Sequence, residues 1–261
     1  MRALAIVHQA DAGPGVFADV FGSRDAELDQ WLIAEGPPPA DPLGYDAVLT
    51  LGGAMHADQE ADHPWLAEEK SLLAELIDRR VPLLGMCLGC QLVAEAGGAS
   101  ARRASAPEIG WQEVELRPDA AGDPVLSRLP PTFEAFQWHS YEATLAAGAT
   151  PLATSPVCLQ AFRLESPAWG IQFHAEVSAT DAEHWIDDYR SDPDAVRIGL
   201  DPDALRERTR GSIAEWNELG RAVCAGFLDA ARSCRAARSR PSRPAHRAMP
   251  RAQRRMPGES A

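Results

Sequence analysis

Short apolar runs separated by turn residues recur through the first third of the chain: LAIVH at 4–8, AVLTL at 47–51 and VPLLGMC at 81–87. Runs this short and this nearly continuous suit parallel strands covered on both faces. Between the last two lies WLAEEKSLLAELIDRR at 65–80, with apolar residues at 65, 66, 72, 73, 76 and 77 and charges on the other side. That spacing predicts an amphipathic crossover helix, and strand–helix–strand order predicts a parallel sheet. After Cys87, LGCQLVAEAGG predicts a short helix closed by Gly97 and Gly98. The middle third changes character: WQEVEL, TFEAFQWHSY, TPLATS, LQAFRL and WGIQFH are successive strand candidates, an antiparallel excursion ending in a return strand at 169–174. From Thr180 to Glu183 a capping-box pattern opens a helix through about Arg190. Two further helical stretches, near 202–210 and 212–231, follow. In 24–44, ELDQWLI fits strand or helix, and GPPPADP reads as a loop.

Composition bounds the function. A chain of 261 residues, 45% of them hydrophobic, can bury a full core. No stretch approaches the ~20 apolar residues of a membrane span, and MRALAIVHQA, which runs at once into Asp11 and Gly13, does not read as a secretory leader. Five cysteines, an odd number, suit a reducing compartment, so the expected location is the cytoplasm. The net charge of -13 is uneven: the segment 232–261 holds nine arginines against one acid, Glu259. So acidic a body over 1–231 argues against nucleic acid as its partner. We therefore expect one domain over 1–231 and a basic, disordered tail over 232–261. The tail reads as a solvated appendage or as a binder of an anionic partner.

Three segments carry chemistry. In LLGMCLGCQLVAEA a buried strand runs directly into a helix with Cys87 at the turn, while Gly85 and Gly89 let neighbouring backbones approach. The helix N-terminus favours the thiolate, which makes Cys87 a candidate nucleophile. Cys90 completes a Cys-x-x-Cys, so a redox dithiol stands as an alternative to a helix-packing role. A structural zinc site would need a second pair, and the other cysteines are isolated at 158, 224 and 234. WGIQFHAEV supplies His174 and, two residues on, Glu176; on an extended chain both point to one side, so the carboxylate can orient the imidazole. LTLGGAMH places Gly52 and Gly53 just beyond another strand, where their amides can face a ligand.

Together GMCLGCQ, the LGG loop and FHAEV resemble the nucleophile, oxyanion and His-Glu motifs of class I (triad) glutamine amidotransferases, in particular the free-standing, GMP-synthase-like type. Order and spacing match over nearly the whole body. The resemblance implies an α/β, flavodoxin-like, mostly parallel sheet with helices on both faces and an antiparallel addition. It also implies that Cys87, His174 and Glu176 form the triad. By the same resemblance the amides of Gly53 and Leu88 form the oxyanion hole, and Gly52, Gln91, His139, Ser140 and Tyr141 hold glutamine. Neither metal nor organic cofactor is required. Two departures stand out: Ala54 replaces the proline common after the glycine loop, and Trp138 to Glu142 stands where many members have His-Gly-Asp.

The implied reaction is hydrolysis of the glutamine side-chain amide through a cysteine thioester. No nucleotide-binding loop is visible, so three roles remain. The first is a glutaminase component that delivers ammonia to a separate synthetase or acceptor subunit. The second is a free-standing hydrolase of γ-glutamyl compounds, and the third a non-catalytic regulatory or binding member of the fold. Turnover by the isolated chain separates the second from the first, and the intact Cys, His and Glu speak against the third.

Overall fold

A computed structural model describes residues 1–238. The expectation of a disordered tail lies outside the described residues beyond that point. The chain opens with β1 (Arg2–Val7), α1 (Val16–Ser23), β2 (Glu27–Leu32), β3 (Ala47–Thr50), α2 (Trp65–Asp78), β4 (Leu83–Met86) and α3 (Leu88–Ala96). It continues through β5 (Ala101–Leu116), β6 (Thr132–Ala143), β7 (Thr150–Thr154), β8 (Leu159–Arg163), β9 (Ala168–Ile171), α4 (Ala179–Asp187), α5 (Pro193–Arg197) and α6 (Pro202–Arg238).

One nine-stranded sheet orders these as β2-β1-β3-β4-β9-β8-β7-β5-β6. The first five are parallel neighbours, and the remaining pairings are antiparallel. The parallel part follows the doubly wound plan, in which ligands bind beyond the carboxyl ends of the strands. Alternation along the strands feeds two apolar layers. Ala3, Ala5, Val7 and Leu49 pack with Val16, Phe17, Phe21, Trp216 and Phe227 on one face. Leu4, Ile6, Val48 and Leu83 pack with Leu66, Leu73, Leu76 and Leu92 on the other. Each central strand is thus buried on both sides, which is why its sequence reads as an unbroken apolar run.

Several elements differ from expectation. ELDQWLI is a strand, because its backbone pairs in register with β1 from Arg2↔Glu27 to Val7↔Leu32. The hydrogen-bonded ladder of the return strand stops at Ile171, leaving His174 in the bend beyond it. The capping box sits two residues earlier than Thr180. Ser178 Oγ accepts the Asp181 amide at 3.2 Å and Asp181 Oδ2 accepts the Ser178 amide at 2.8 Å, so Thr180 lies inside the first turn and α4 ends at Asp187. The two C-terminal helical stretches are one helix of 37 residues that continues past the expected boundary at Ala231. Gly211 does not break it, since Thr209, Ile213 and Trp216 on either side stay buried against the sheet. Beyond Ala231, Arg232 Nη2 donates to the Arg24 carbonyl at 2.5 Å and Arg235 Nη1 to Asp46 Oδ2 at 2.9 Å. Among the described residues no helix is long and apolar enough to cross a membrane.

Helix α6 also braces the segment that carries His174. Trp216 Nε1 donates to the His174 carbonyl at 2.9 Å, and Asn217 Nδ2 to that of Val177 at 2.7 Å. The approach is close enough that a Cβ on Gly220 would lie 2.0 Å from the Ala175 carbonyl oxygen. We expect Gly220→Ala to destabilise the protein by about 1–3 kcal/mol through overpacking. Gly211→Ala, on an exposed stretch of the same helix with nothing within 4 Å, should stabilise it by about 0.5–1 kcal/mol. Urea unfolding of both variants checks the pair; equal effects would show that α6 is not seated on the Ala175 backbone.

Candidate active site

Strand β4 enters α3 through a single residue. Cys87 sits at φ 51°, ψ −107°, a backbone region that costs a non-glycine residue about 1–3 kcal/mol. Its amide donates to the Ile171 carbonyl at 2.8 Å and its carbonyl accepts the Gln91 amide at 3.2 Å. The turn also needs bare backbone on both sides: a Cβ on Gly85 would lie 2.3 Å from the Gly89 carbonyl oxygen, and one on Gly89 2.0 Å from that of Thr50. The result lifts the Cys87 side chain out of the sheet edge into a cavity of about 340 Å³. Its thiol faces the Trp138 carbonyl oxygen at 3.8 Å.

His174 lines the same cavity. Its Nδ1 is 2.8 Å from Glu176 Oε1, although the strand ladder has already ended, because Trp216 and Asn217 hold the bend from behind. Nε2 is buried and makes no hydrogen bond, and Cys87 lines the same cavity. Burial works to lower the His174 pKa, and Glu176 together with Cys87 overrides it, leaving the imidazole pushed up to about 10. Trp185 covers the ring edge-on at 4.7 Å between centroids.

Of the residues expected to hold a substrate or an oxyanion, Gly53, Leu88, Gln91, His139, Ser140 and Tyr141 all line the cavity. Gly52 lies behind it, where a Cβ would meet His174 Cε1 at 3.0 Å and Cys87 Cβ at 3.7 Å. Among the described residues no backbone carbonyl takes the Gly53 amide, and Leu88, as the first residue of α3, has no intrahelical acceptor. Two side chains have other engagements. Gln91 Nε2 donates to the Tyr141 carbonyl at 3.1 Å and to Gln172 Oε1 at 3.3 Å, a strut between α3 and β6. His139 turns inward, with Nδ1 donating to the Tyr141 carbonyl at 2.9 Å and Nε2 3.3 Å from Glu108 Oε2.

Several wall residues escape the sequence pattern. Trp138 and Trp185 are pinned by Asp192 Oδ2 and the Asp11 carbonyl. Arg103 donates to both oxygens of Asp194 at 2.6 Å. Partial burial would raise the Asp194 pKa, yet the Ser140 hydroxyl, Arg197 and Arg103 hold it down to about 2. This ties β6 at Ser140, which is strand and not the substrate turn expected there, to α5. The clue in the sequence was Asp192-Pro193-Asp194, an aspartate cap with proline at the first helical position.

Among the described residues Glu108, His139 and Cys158 are the one group that could together hold a metal ion, with one ligand atom each within 4.8 Å. Their shared oxygen is already a hydrogen-bond hub: Gln160 Nε2 donates to Glu108 Oε2 at 2.7 Å and Cys158 Sγ at 3.3 Å. Burial and the adjacent Glu108 carboxylate push the Cys158 thiol far up in pKa, so it stays a proton donor.

The family model for glutamine amidotransferase class-I matches residues 26–189. The chain is similar to a glutamine-hydrolyzing GMP synthase subunit of Methanoculleus marisnigri, 30% identical over 162 residues that span 60% of this chain and 80% of that protein. The crystal structure of a glutamine amidotransferase from Thermotoga maritima superposes with a TM-score of 0.79 at 30% identity, covering 88% of this chain and 98% of the other. A glutamine amido transferase from Methylobacillus flagellatus gives 0.77 at 26% identity, covering 88% and 94%.

Because the folded His174 pKa is raised, its contribution to stability is fully present below about pH 6.5 and is lost as pH rises through about 10. Replacing Glu176 by Gln removes the charge that retains the proton, so this loss should move to lower pH. Unfolding free energy against pH, with a ¹⁵N-histidine NMR titration of both proteins, reads the shift. An unmoved His174 titration would show that Glu176 is not the governing charge.

Proposed function

The chain belongs to the class-I glutamine amidotransferase family, and on that premise we propose that it hydrolyses the side-chain amide of glutamine through a thioester on Cys87 and delivers the ammonia to a separate acceptor-activating subunit. The observation that carries this reading is the convergence of Cys87 and His174 in one cavity, with Glu176 behind the imidazole. The Cys87 thiolate attacks the carboxamide carbon, and the developing oxyanion is met by the amides of Gly53 and Leu88. His174 passes its proton to the leaving nitrogen, and ammonia departs. His174 then takes a proton from water, the hydroxide attacks the thioester carbon, and the C–S bond breaks to release glutamate and regenerate the thiolate. Glu176 keeps the imidazole oriented throughout. Tyr141 and Ser140 flank the glutamine, and Gln91 acts as the strut that sets the height of their strand.

The competing Cys/His/Glu constellation of Cys158, His139 and Glu108 is a poor catalyst on this reading. Its thiol is held protonated beside a carboxylate, and neither Cys158 nor Glu108 lines the cavity. Cys90 is likewise buried, its thiol raised well above the ordinary range, which suits a packing role within α3 rather than a dithiol.

A relative named as one subunit of a glutamine-hydrolyzing GMP synthase supports a partner that performs the synthetase step. The five cysteines are free, in keeping with a reducing compartment, and we place the protein in the cytoplasm. A second reading is favoured by the cavity wall. Asp11, Asp188, Asp192 and Asp194 face it against one guanidinium, Arg103, which suits a cationic group on the amide nitrogen and so a γ-glutamyl amine.

Cys87→Ala should abolish ammonia release from glutamine, while Cys90→Ala and Cys158→Ala retain turnover. Equal loss in Cys87→Ala and Cys90→Ala, with Cys158→Ala unaffected, would favour dithiol chemistry. The isolated chain should turn over slowly and accelerate when its partner docks. An isolated chain that cleaves a γ-glutamyl amine at an ordinary rate of about 10 per second would put the free-standing hydrolase in place of the two-component enzyme.

A further inference from the structure

A second imidazole–carboxylate pair lies behind the glycine loop. His8 follows β1 and Glu69 belongs to α2; both side chains are fully buried, with Nε2 2.9 Å from Oε2. The other ring nitrogen, Nδ1, is 3.1 Å from the Gly52 carbonyl oxygen. The other carboxylate oxygen accepts the Thr50 hydroxyl at 2.6 Å. A carbonyl can only accept, so Nδ1 carries a proton, and Nε2 faces an oxygen as well. The imidazole is thus clamped between two acceptors, the situation that favours its doubly protonated form. Trp65 stacks on the ring at 5.3 Å and 14°. The facing groups are Glu69 and Trp65 from the α2 side and the backbone of Leu51 and Gly52 beyond β3, so among the described residues the one charge that meets His8 is the Glu69 carboxylate. Burial works to lower the His8 pKa, and Glu69 overrides it.

The consequence comes from the geometry of one peptide bond. The Gly52 carbonyl and the Gly53 amide belong to the same unit, and no cis peptide is present among the described residues. In a planar trans peptide C=O and N–H point in opposite directions. A ring that grips the Gly52 oxygen therefore turns the Gly53 amide away from itself. Gly53 itself leaves no room for a side chain, since a Cβ there would lie 2.6 Å from Met55 Sδ and 3.0 Å from His8 Cβ.

We propose that His8, held by Glu69, is a positioning residue for the reaction: it fixes the Gly52–Gly53 peptide plane so that the Gly53 amide is presented to the oxyanion before substrate arrives. This rests on the glutaminase reading above, and it places a conformational requirement on a loop that glycine alone would leave free.

Two measurements test it. Histidine ¹⁵N NMR of the full chain, with His8 assigned through His8→Asn, should show both ring nitrogens protonated at pH 7, and Glu69→Gln should bring the loss of one proton to lower pH. A His8 ring without a proton on Nδ1 would overturn the proposal whatever the protein catalyses. In the partner-activated enzyme, His8→Ala should lower kcat about 10- to 100-fold while KM changes less than about threefold, as expected for a misaligned oxyanion donor. His8→Asn, whose Nδ2–H₂ group stands near the place of Nδ1, should recover most of kcat. Affinity for a glutamine aldehyde, which forms a tetrahedral adduct on the thiol, should fall in step with kcat. Equal kcat in Ala and Asn variants, or a change in KM alone, would overturn the positioning role. If His8→Ala does not fold, the Asn variant and the wild-type NMR carry the test. A wild-type chain that neither hydrolyses glutamine with its partner nor reacts with a glutamine diazoketone sinks the glutaminase reading and this proposal's catalytic claim together, while the NMR result still reports whether the clamp exists.

Discussion

Holding Cys87 at φ 51° requires β4 to become α3 within one residue, and this works only where three backbones come closer than any side chain permits. Gly85 lies under the first turn of α3, and Gly89 lies on the end of β3. The order of the sheet follows from the same demand. With β3 and β9 as the neighbours of β4, the carboxyl ends of all three strands meet at the sulfur, one bringing the glycine loop and the other the segment of His174. The strained turn is stable because the strands on both sides are buried on both faces, with Ile171 of β9 accepting the Cys87 amide and Leu51, just beyond β3, accepting the Gly89 amide.

Among the described residues three buried imidazole–carboxylate pairs surround this point, and their surroundings give each a different character. His174 with Glu176 opens onto the cavity and keeps Nε2 for the thiol. His139 with Glu108 closes inward, where Gln160 and Cys158 crowd the same carboxylate oxygen. His8 with Glu69 spends its second nitrogen on a backbone carbonyl. The distinction lies in what meets the ring atom facing away from the acid: the cavity shared with Cys87, a strand backbone, or a loop.

Much of this was legible from the sequence, because it was written as pattern. The unbroken apolar runs of β1, β3 and β4 and the strand–Cys–helix junction needed only local information. What escaped depended on the third dimension. Gly211 reads as a break, yet the helix runs through it because its neighbours are held by the sheet. Thr180 and Ser178 offer equivalent boxes, and the backbone entry from Val177 selects the earlier one. His8 closes an apolar run and reads as one more strand residue. Glu69 did leave a trace: Leu66, Glu69, Leu73 and Leu76 form the buried stripe of α2, and an acid in such a stripe must have a partner. The Arg103–Asp194 pair spans a separation of 91 residues, beyond the reach of any local pattern.

Seating Gly89 on the Thr50 carbonyl has one more consequence. It joins β3, β4 and α3 into a block in which the sulfur, the Leu88 amide and the glycine loop cannot shift independently without opening a backbone contact that has no slack. The opposite wall is assembled differently, from β6 at Ser140 and the short helix α5, which the side chains of Arg103, Ser140 and Asp194 tie together. On the function proposed above, bond-making and recognition reside in separable halves of the cavity. A lineage, or an engineer, can recast the second half to admit a new acyl donor while inheriting the first half unaltered.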